Sequence, residues 1–239
     1  VTVNWNWTDS GSGIDTANCT TSSTSSGEGE LTLTASCRDL VGNVGNASYT
    51  VKVDKLAPVA NPVQSPVANG NGWNNTDVTI NWNWLDGGSG INTASCELSS
   101  TFSSEGELTS TVSCRDNASN IATAGYTTKI DTTAPVVTLT GVSNGASYVY
   151  GSVPSAGCNT QDATSGVATA ATLTVTGGNS DGIGNFTATC SNATDNAGNA
   201  SAPVTVNYTV SSPGTVVGIC GGYTVYRNGS SYTAPQWAG

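Results

Sequence analysis

The chain repeats itself, and that constrains its fold more than any single motif. Residues Val1 to Pro58 align without a gap on Val78 to Pro135 at a constant offset of 77, with 36 identities in 58 positions. Both copies run V-T-(V/I)-N-W-N-W, then D-x-G-S-G-I, a cysteine, E-G-E-L-T, S-C-R-D, Y-T-x-K-x-D and A-P. A third, diverged copy follows Pro135. It keeps the turn Asp162 to Val167, and Cys190 followed by T-D-N-A-G-N at Thr194 to Asn199. A unit of roughly 75 residues is small for a domain, so each copy reads as one compact supersecondary unit in a tandem array.

Within each copy the apolar residues recur at period two. Val1, Val3, Trp5 and Trp7 alternate with Thr2, Asn4 and Asn6, and Val78, Ile80, Trp82 and Trp84 repeat the pattern. Leu31, Leu33, Ala35 and Cys37 share one face of another strand, as do Val204, Val206, Tyr208 and Val210. Period two over seven residues marks a strand with one buried face, and no segment carries a 3.6 period. The expected class is therefore all-β: three small sandwiches at 1–56, 57–133 and 134–210, followed by a β-prone tail at 211–239. The first copy starts on its tryptophan strand, whereas the second is preceded by 59–77 and the third by a leading strand at 136–140. The first sandwich is thus expected to lack its opening strand.

Seven cysteines accompany a composition that is only 9% charged, with 66 Ser and Thr and 24 Asn. Cys19 and Cys37 are 18 residues apart, as are Cys96 and Cys114, while Cys158 and Cys190 are 32 apart. There is no His and no C-x-x-C, which argues against zinc and for disulfides formed in an oxidising compartment. In the third copy the first cysteine precedes the aspartate turn, so its bridge must join different strands. Cys220 is left over, and it either bridges two chains or stays a buried thiol. A net charge of −10 without a basic cluster excludes ordinary nucleic-acid binding. No apolar run is long enough to span a membrane as a helix, and the lack of Met marks a processed product or an excerpt.

The D-K-L-A-P-V and D-T-T-A-P-V joints, the D-x-x-S-G-I turn and the T-D-N-A-G-N turn resemble the tandem immunoglobulin-like repeats of large secreted bacterial surface proteins. The resemblance spans about residues 1–210. It implies immunoglobulin-like sandwiches in an extracellular or cell-surface protein, where such repeats serve as stalks, spacers, adhesins and fibre subunits.

From these features follows a structural subunit of an extracellular filament. The tail would add a strand to the incomplete first domain of the next subunit, as in donor-strand complementation. The contact would involve Val1, Val3 and Trp5 with Val216, Val217, Ile219, Tyr223, Val225 and Tyr226, so the principal partner would be another copy of the chain. The alternative is an excerpt of a longer stalk or adhesin that binds glycan or a host surface. The tail also resembles segments that precede calcium-binding repeats in large secreted proteins.

Other candidate sites each have a plainer explanation. Trp5, Trp7, Trp82 and Trp84 fit core packing better than a sugar platform, while Trp73 and Trp237 lie in Gly, Asn and Pro surroundings that suit exposed contact. Glu28 with Glu30, and Glu105 with Glu107, have the form of paired catalytic carboxylates, yet their duplication beside turn glycines points to solvated turns. No nucleophile–base pair or phosphate loop is legible, so an enzyme is not expected. Asp54 and Asp131 at the joints, with Asp9, Asp39, Asp86, Asp116, Asp162 and Asp195, offer Ca²⁺ ligands, or else single aspartates making Asx turns. No other cofactor is implied. Lys52 and Lys129 are the residues from which isopeptide crosslinks would be built, but alternation places them toward solvent. N-x-(S/T) acceptors for glycan occur at Asn6, Asn18, Asn46, Asn74, Asn117, Asn185, Asn192, Asn199, Asn207 and Asn228. The Ser/Thr runs at 20–26 and 99–104 are equivalent candidates for O-linked sugar.

Overall fold

A computed structural model describes the backbone of residues 1–220, 223–228 and 231–232, and the side chains of 1–214. The described chain is all-β, with two short 3-10 turns at Thr16–Asn18 and Thr93–Ser95. No helix among the described residues is long and apolar enough to cross a membrane.

The first repeat contains β1 (Thr2–Asn4), β2 (Ile14–Asp15), β3 (Ser22–Thr24), β4 (Gly29–Asp39) and β5 (Val44–Val53). β1 pairs with β3, and β2–β4–β5 form a second sheet. The Leu31, Leu33, Ala35, Cys37 face of β4 turns inward as the alternation requires, with Ala35 and Cys37 buried.

The second repeat contains β6 (Val63–Ser65), β7 (Val78–Asn81), β8 (Ser99–Phe102), β9 (Gly106–Arg115) and β10 (Ile121–Ile130). Its tryptophan strand β7 is paired on both sides, by β6 and by β8. Beyond β7 the lead segment continues along the same edge: Val59 and Leu85 exchange both backbone hydrogen bonds, and Asn61 N–H donates to Trp82 O. The tryptophan segment is expected to be one seven-residue strand. Regular pairing instead stops at Asn81, because Asn83 takes a left-handed φ of 44° while its side-chain amide donates to Asn61 O.

The third repeat contains β11 (Val136–Thr140), β12 (Ser147–Val149), β13 (Gly157–Gln161), β14 (Val167–Thr169), β15 (Thr172–Gly177), β16 (Gly184–Ser191), β17 (Thr194–Asp195) and β18 (Val204–Ser211). The sheet β12–β18–β16–β15 packs on the pair β11–β13. Between them lie Val137, Val142, Ala188, Cys190, Tyr208 and Val210. Phe186 stacks on Tyr208 at 5.5 Å, and Tyr148 meets Tyr208 edge-on at 5.8 Å.

In the tail, β19 (Thr215–Cys220), β20 (Tyr223–Asn228) and β21 (Ser231–Tyr232) pair as an antiparallel meander. The β-propensity read from the sequence is thus realised within the tail itself, and β20 has a neighbour on each side. The side chains of Val216, Val217, Ile219, Cys220, Tyr223, Val225, Tyr226 and Asn228, and all of Trp237, lie outside the described residues.

By its contacts the chain divides into two compact units. One is Val1–Val67 with Asp77–Ser103 and Glu107–Thr128; the other is Ala68–Thr76 with Ser104–Gly106 and Lys129–Gly239. Two short segments of the second repeat bond within the second unit. Asn69 and Asn71 both donate to Asn196 O, and Asn74 brackets Ile130. All three expected disulfides are formed: Cys19–Cys37, Cys96–Cys114 and Cys158–Cys190. The third joins β13 to β16, and so differs from the first two, as its altered sequence position requires.

Candidate functional site: aspartate triads at the repeat boundaries

The repeat places three aspartates far apart in sequence, and folding brings them together twice. Asp54 closes the first repeat, Asp86 opens the D-x-x-S-G turn of the second, and Asp116 follows its R-D hairpin. One carboxylate oxygen from each lies within 4.8 Å of the others. Asp131, Asp162 and Asp195 make the same arrangement at the next boundary, in the second unit. Among the described residues these are the two groups of three or more acidic or cysteine side chains so gathered.

Local chemistry holds each ligand in place. The turn aspartate accepts from a glycine N–H four residues on: Gly90 to Asp86 at 2.6 Å and Gly166 to Asp162 at 2.7 Å. Both glycines have φ near +80°, a conformation that costs other residues but not glycine. The hairpin aspartate accepts from an asparagine four residues on, through backbone and side chain alike. Asn120 bonds Asp116 at 2.8 and 2.7 Å, and Asn199 bonds Asp195 at the same distances. These asparagines then turn their remaining donor capacity on the linker. Asn120 Nδ2 donates to Asp54 O and Leu56 O, and Asn199 Nδ2 to Asp131 O and Thr133 O.

The linker aspartate is gripped from the next repeat. Ser89 N–H donates to Asp54 at 2.7 Å, and Ser165 N–H to Asp131 at 3.0 Å. The Ser89 hydroxyl and N–H together hold Asp54 below the ordinary carboxylate range, against a smaller opposing effect of desolvation. Gly88 permits the close approach, since a Cβ there would collide with the Asp54 carboxyl. A groove of about 630 Å³ opens beside this triad, lined in part by Glu30, Lys52, Asp54, Ser89 and Asn117.

Burial gives the triads their chemical interest. Asp116 is 1% exposed, Asp195 2% and Asp131 0%. Carboxylates so buried must be paired, hydrogen-bonded or bound to a metal. Three of them held together suit a hard cation that takes oxygen ligands, and the backbone and amide oxygens nearby are of the same kind.

The other sequence candidates fall elsewhere. Trp82 and Trp84 are core residues, while Trp5 and Trp7 are only half-buried. Trp73 is half-buried with the Lys129 ammonium 5.8 Å above its ring, so it is not the freely exposed contact its surroundings implied. Glu28 and Glu105 are exposed turn residues, as expected, and each also bonds the linker. Glu28 accepts from Lys55 N–H, and Glu105 accepts from Thr132 N–H, Thr132 Oγ1 and Thr133 Oγ1. The threonine bonds, Thr133 first, hold Glu105 below its ordinary pKa. Lys52 is exposed and lies 3.6 Å from Glu30, as a surface ion pair. Asn74 is a poor glycan acceptor, because it is 5% exposed and its Nδ2 donates to Lys129 O. Asn199 is also a poor one, since its amide is spent on the linker. Asn6, Asn18, Asn46, Asn117, Asn185, Asn192 and Asn207 are exposed.

No family model matches the chain, and no curated protein matches it in sequence. Among solved structures, one described as "Ca2+-stabilized adhesin helps an Antarctic bacterium reach out and bind ice" aligns with 14% identity and a TM-score of 0.27. The alignment covers 79% of this chain and 58% of that one. Similarity that low carries no argument about fold details, metal or ligand.

Proposed function

We propose that this chain is a non-catalytic stalk segment of an extracellular, adhesin-type surface protein, built from immunoglobulin-like modules whose boundaries are locked by calcium. The observation that carries the reading is the recurrence of one aspartate triad at two successive boundaries, each closed by the same serine, glycine and asparagine contacts. A catalytic site has no reason to recur at each boundary of a tandem array, whereas a structural clasp does. The three disulfides support an oxidising, extracellular setting. In each triad the cation would offset the mutual repulsion of the carboxylates and tie the linker to the following repeat.

Limited trypsin digestion tests this, because Lys55 lies exposed in the first linker. Calcium is expected to slow cleavage after Lys55 at least tenfold relative to chelator, while a surface site such as Lys52 changes little. Equal rates at Lys55 with and without calcium contradict the reading.

A filament subunit is the second reading, favoured by the open face of the first repeat. Val1 is 57% exposed, whereas its equivalent Val78 is fully buried. The tail would have to leave its own meander, or extend it, to cover that face. Fibres that vanish on truncation after residue 213 support donation, and unchanged fibres exclude it.

A further inference from the structure

The geometry points to a third joint, of which the first repeat holds the receiving half. Asp9, Ser12, Asp39 and Asn43 form a docking surface for an aspartate linker of the D-x-x-A-P type, supplied by a module outside these 239 residues. The surface is already set in the form the other two joints use. Gly13 N–H donates to Asp9 at 2.6 Å, matching Gly90 on Asp86. Asn43 bonds Asp39 through backbone and side chain at 2.8 and 2.7 Å, the same two distances as Asn120 on Asp116 and Asn199 on Asp195. What differs is the cover. Asp9 is exposed and Asp39 half-buried, whereas Asp116 and Asp195 are buried beneath a linker. The two bonds that Asn120 and Asn199 each add to linker carbonyls have no counterpart at Asn43 among the described residues.

A second observation is independent of the acidic residues. The hairpin tip that carries Asn117–Ala118 and Asn196–Ala197 in the other repeats carries Leu40–Val41 here, and these are 67% and 72% exposed. Two adjacent bulky apolar side chains thus replace a polar Asn and a small Ala at the tip, and an apolar residue laid against them would remove their surface from water. The occupant follows from the two complete joints. It is an extended segment with a carboxylate for Ser12 N–H, two carbonyls for Asn43 Nδ2, and an apolar contact for Leu40 and Val41. Both such linkers within this chain, at Asp54 and Asp131, are already engaged in their own joints, so another copy of these residues has no free linker to offer.

The inference rests on the joint hydrogen bonds and not on a bound cation, so its test is run in chelator and stands apart from the calcium reading. A second copy of residues 1–77 is placed ahead of Val1, so that the added Asp77 runs into Val1 as it does into Val78. In this extended chain the Ser12 amide should exchange with deuterium at least tenfold more slowly than in the original. Asn43→Ala should lower the melting temperature of the extended chain by about 5 °C, the order expected for one lost set of buried hydrogen bonds, and shift the original by much less. Unchanged Ser12 exchange, or an equal effect of Asn43→Ala in both chains, overturns the proposal.

Discussion

The first and second repeats share 36 of 58 residues, yet they bury their common core to different degrees. Both tryptophans keep the same polar anchors. Trp5 and Trp82 donate to Ser23 and Ser100 hydroxyls, and Trp7 and Trp84 donate to the Thr20 and Glu97 carbonyls. In the second repeat, however, Val78, Ile80 and Trp82 are each 0% exposed, while Val1, Val3 and Trp5 are exposed or half-buried. The segment from Val59 to Ser65, paired along the open edge of β7, accounts for the difference. An identical strand pattern therefore specifies which face turns inward, but the neighbour decides how much water is removed.

The sharpest break in this comparison is a matched pair of truncations. Trp82→Ala should cost about 3–5 kcal/mol in denaturant titration, the range for emptying a large buried aromatic site, and Trp5→Ala about half as much. Equal losses would mean that the Val59–Ser65 segment is not what completes the core. Disulfides should behave in the opposite way, because Cys19–Cys37 and Cys96–Cys114 both span 18 residues. Replacing either pair with alanine should cost about 3 kcal/mol in the chain-entropy account. A large inequality between the two would place the difference in the native state and not in loop closure.

Asparagine substitutions separate complete joints from the open surface. Asn199→Ala removes bonds to Asp131 O and buried Asp195 and should cost about 1–3 kcal/mol. Asn43→Ala, whose side chain bonds only Asp39 among the described residues, should cost a few tenths by the same measure. The smallest effect is in pH. The amide of Asn43 and then its N–H hold Asp39 below the ordinary carboxylate value, as Ser89 holds Asp54. A carboxylate favoured in this way stabilises the fold above its unfolded pKa of about 4, and loses that contribution as pH falls through the lower folded value. Carboxyl-carbon NMR titration should show Asn43→Ala moving Asp39 upward and Ser89→Ala moving Asp54 upward, each without the other.

Much of the fold was legible because period two and the 77-residue offset are local or self-referential signals. They mark the inward faces of β4, β7 and β18 and pair the cysteines. The triads were legible only as eight dispersed aspartates. Asp54, Asp86 and Asp116 are about thirty residues apart in sequence, and no local spacing says that a linker, a turn and a hairpin tip will meet. Glu28 and Glu105 are exposed, as the turn glycines beside them implied, but their bonds to the returning linker were not legible, because the linker is about 27 residues away in sequence. The lesser burial of Val1, Val3 and Trp5 was legible in outline by comparing the two copies, since the segment that pairs along the edge of β7 lies within residues 59–77. The self-pairing of the tail was not, because β-propensity says nothing of which strand a strand will join.

The most direct test of the account is calorimetric titration of the intact chain with calcium after chelator treatment. Two binding events are predicted, one lost in Asp116→Asn and the other in Asp195→Asn, each leaving its counterpart intact. The absence of binding at millimolar calcium, or binding that survives both substitutions together, would contradict it.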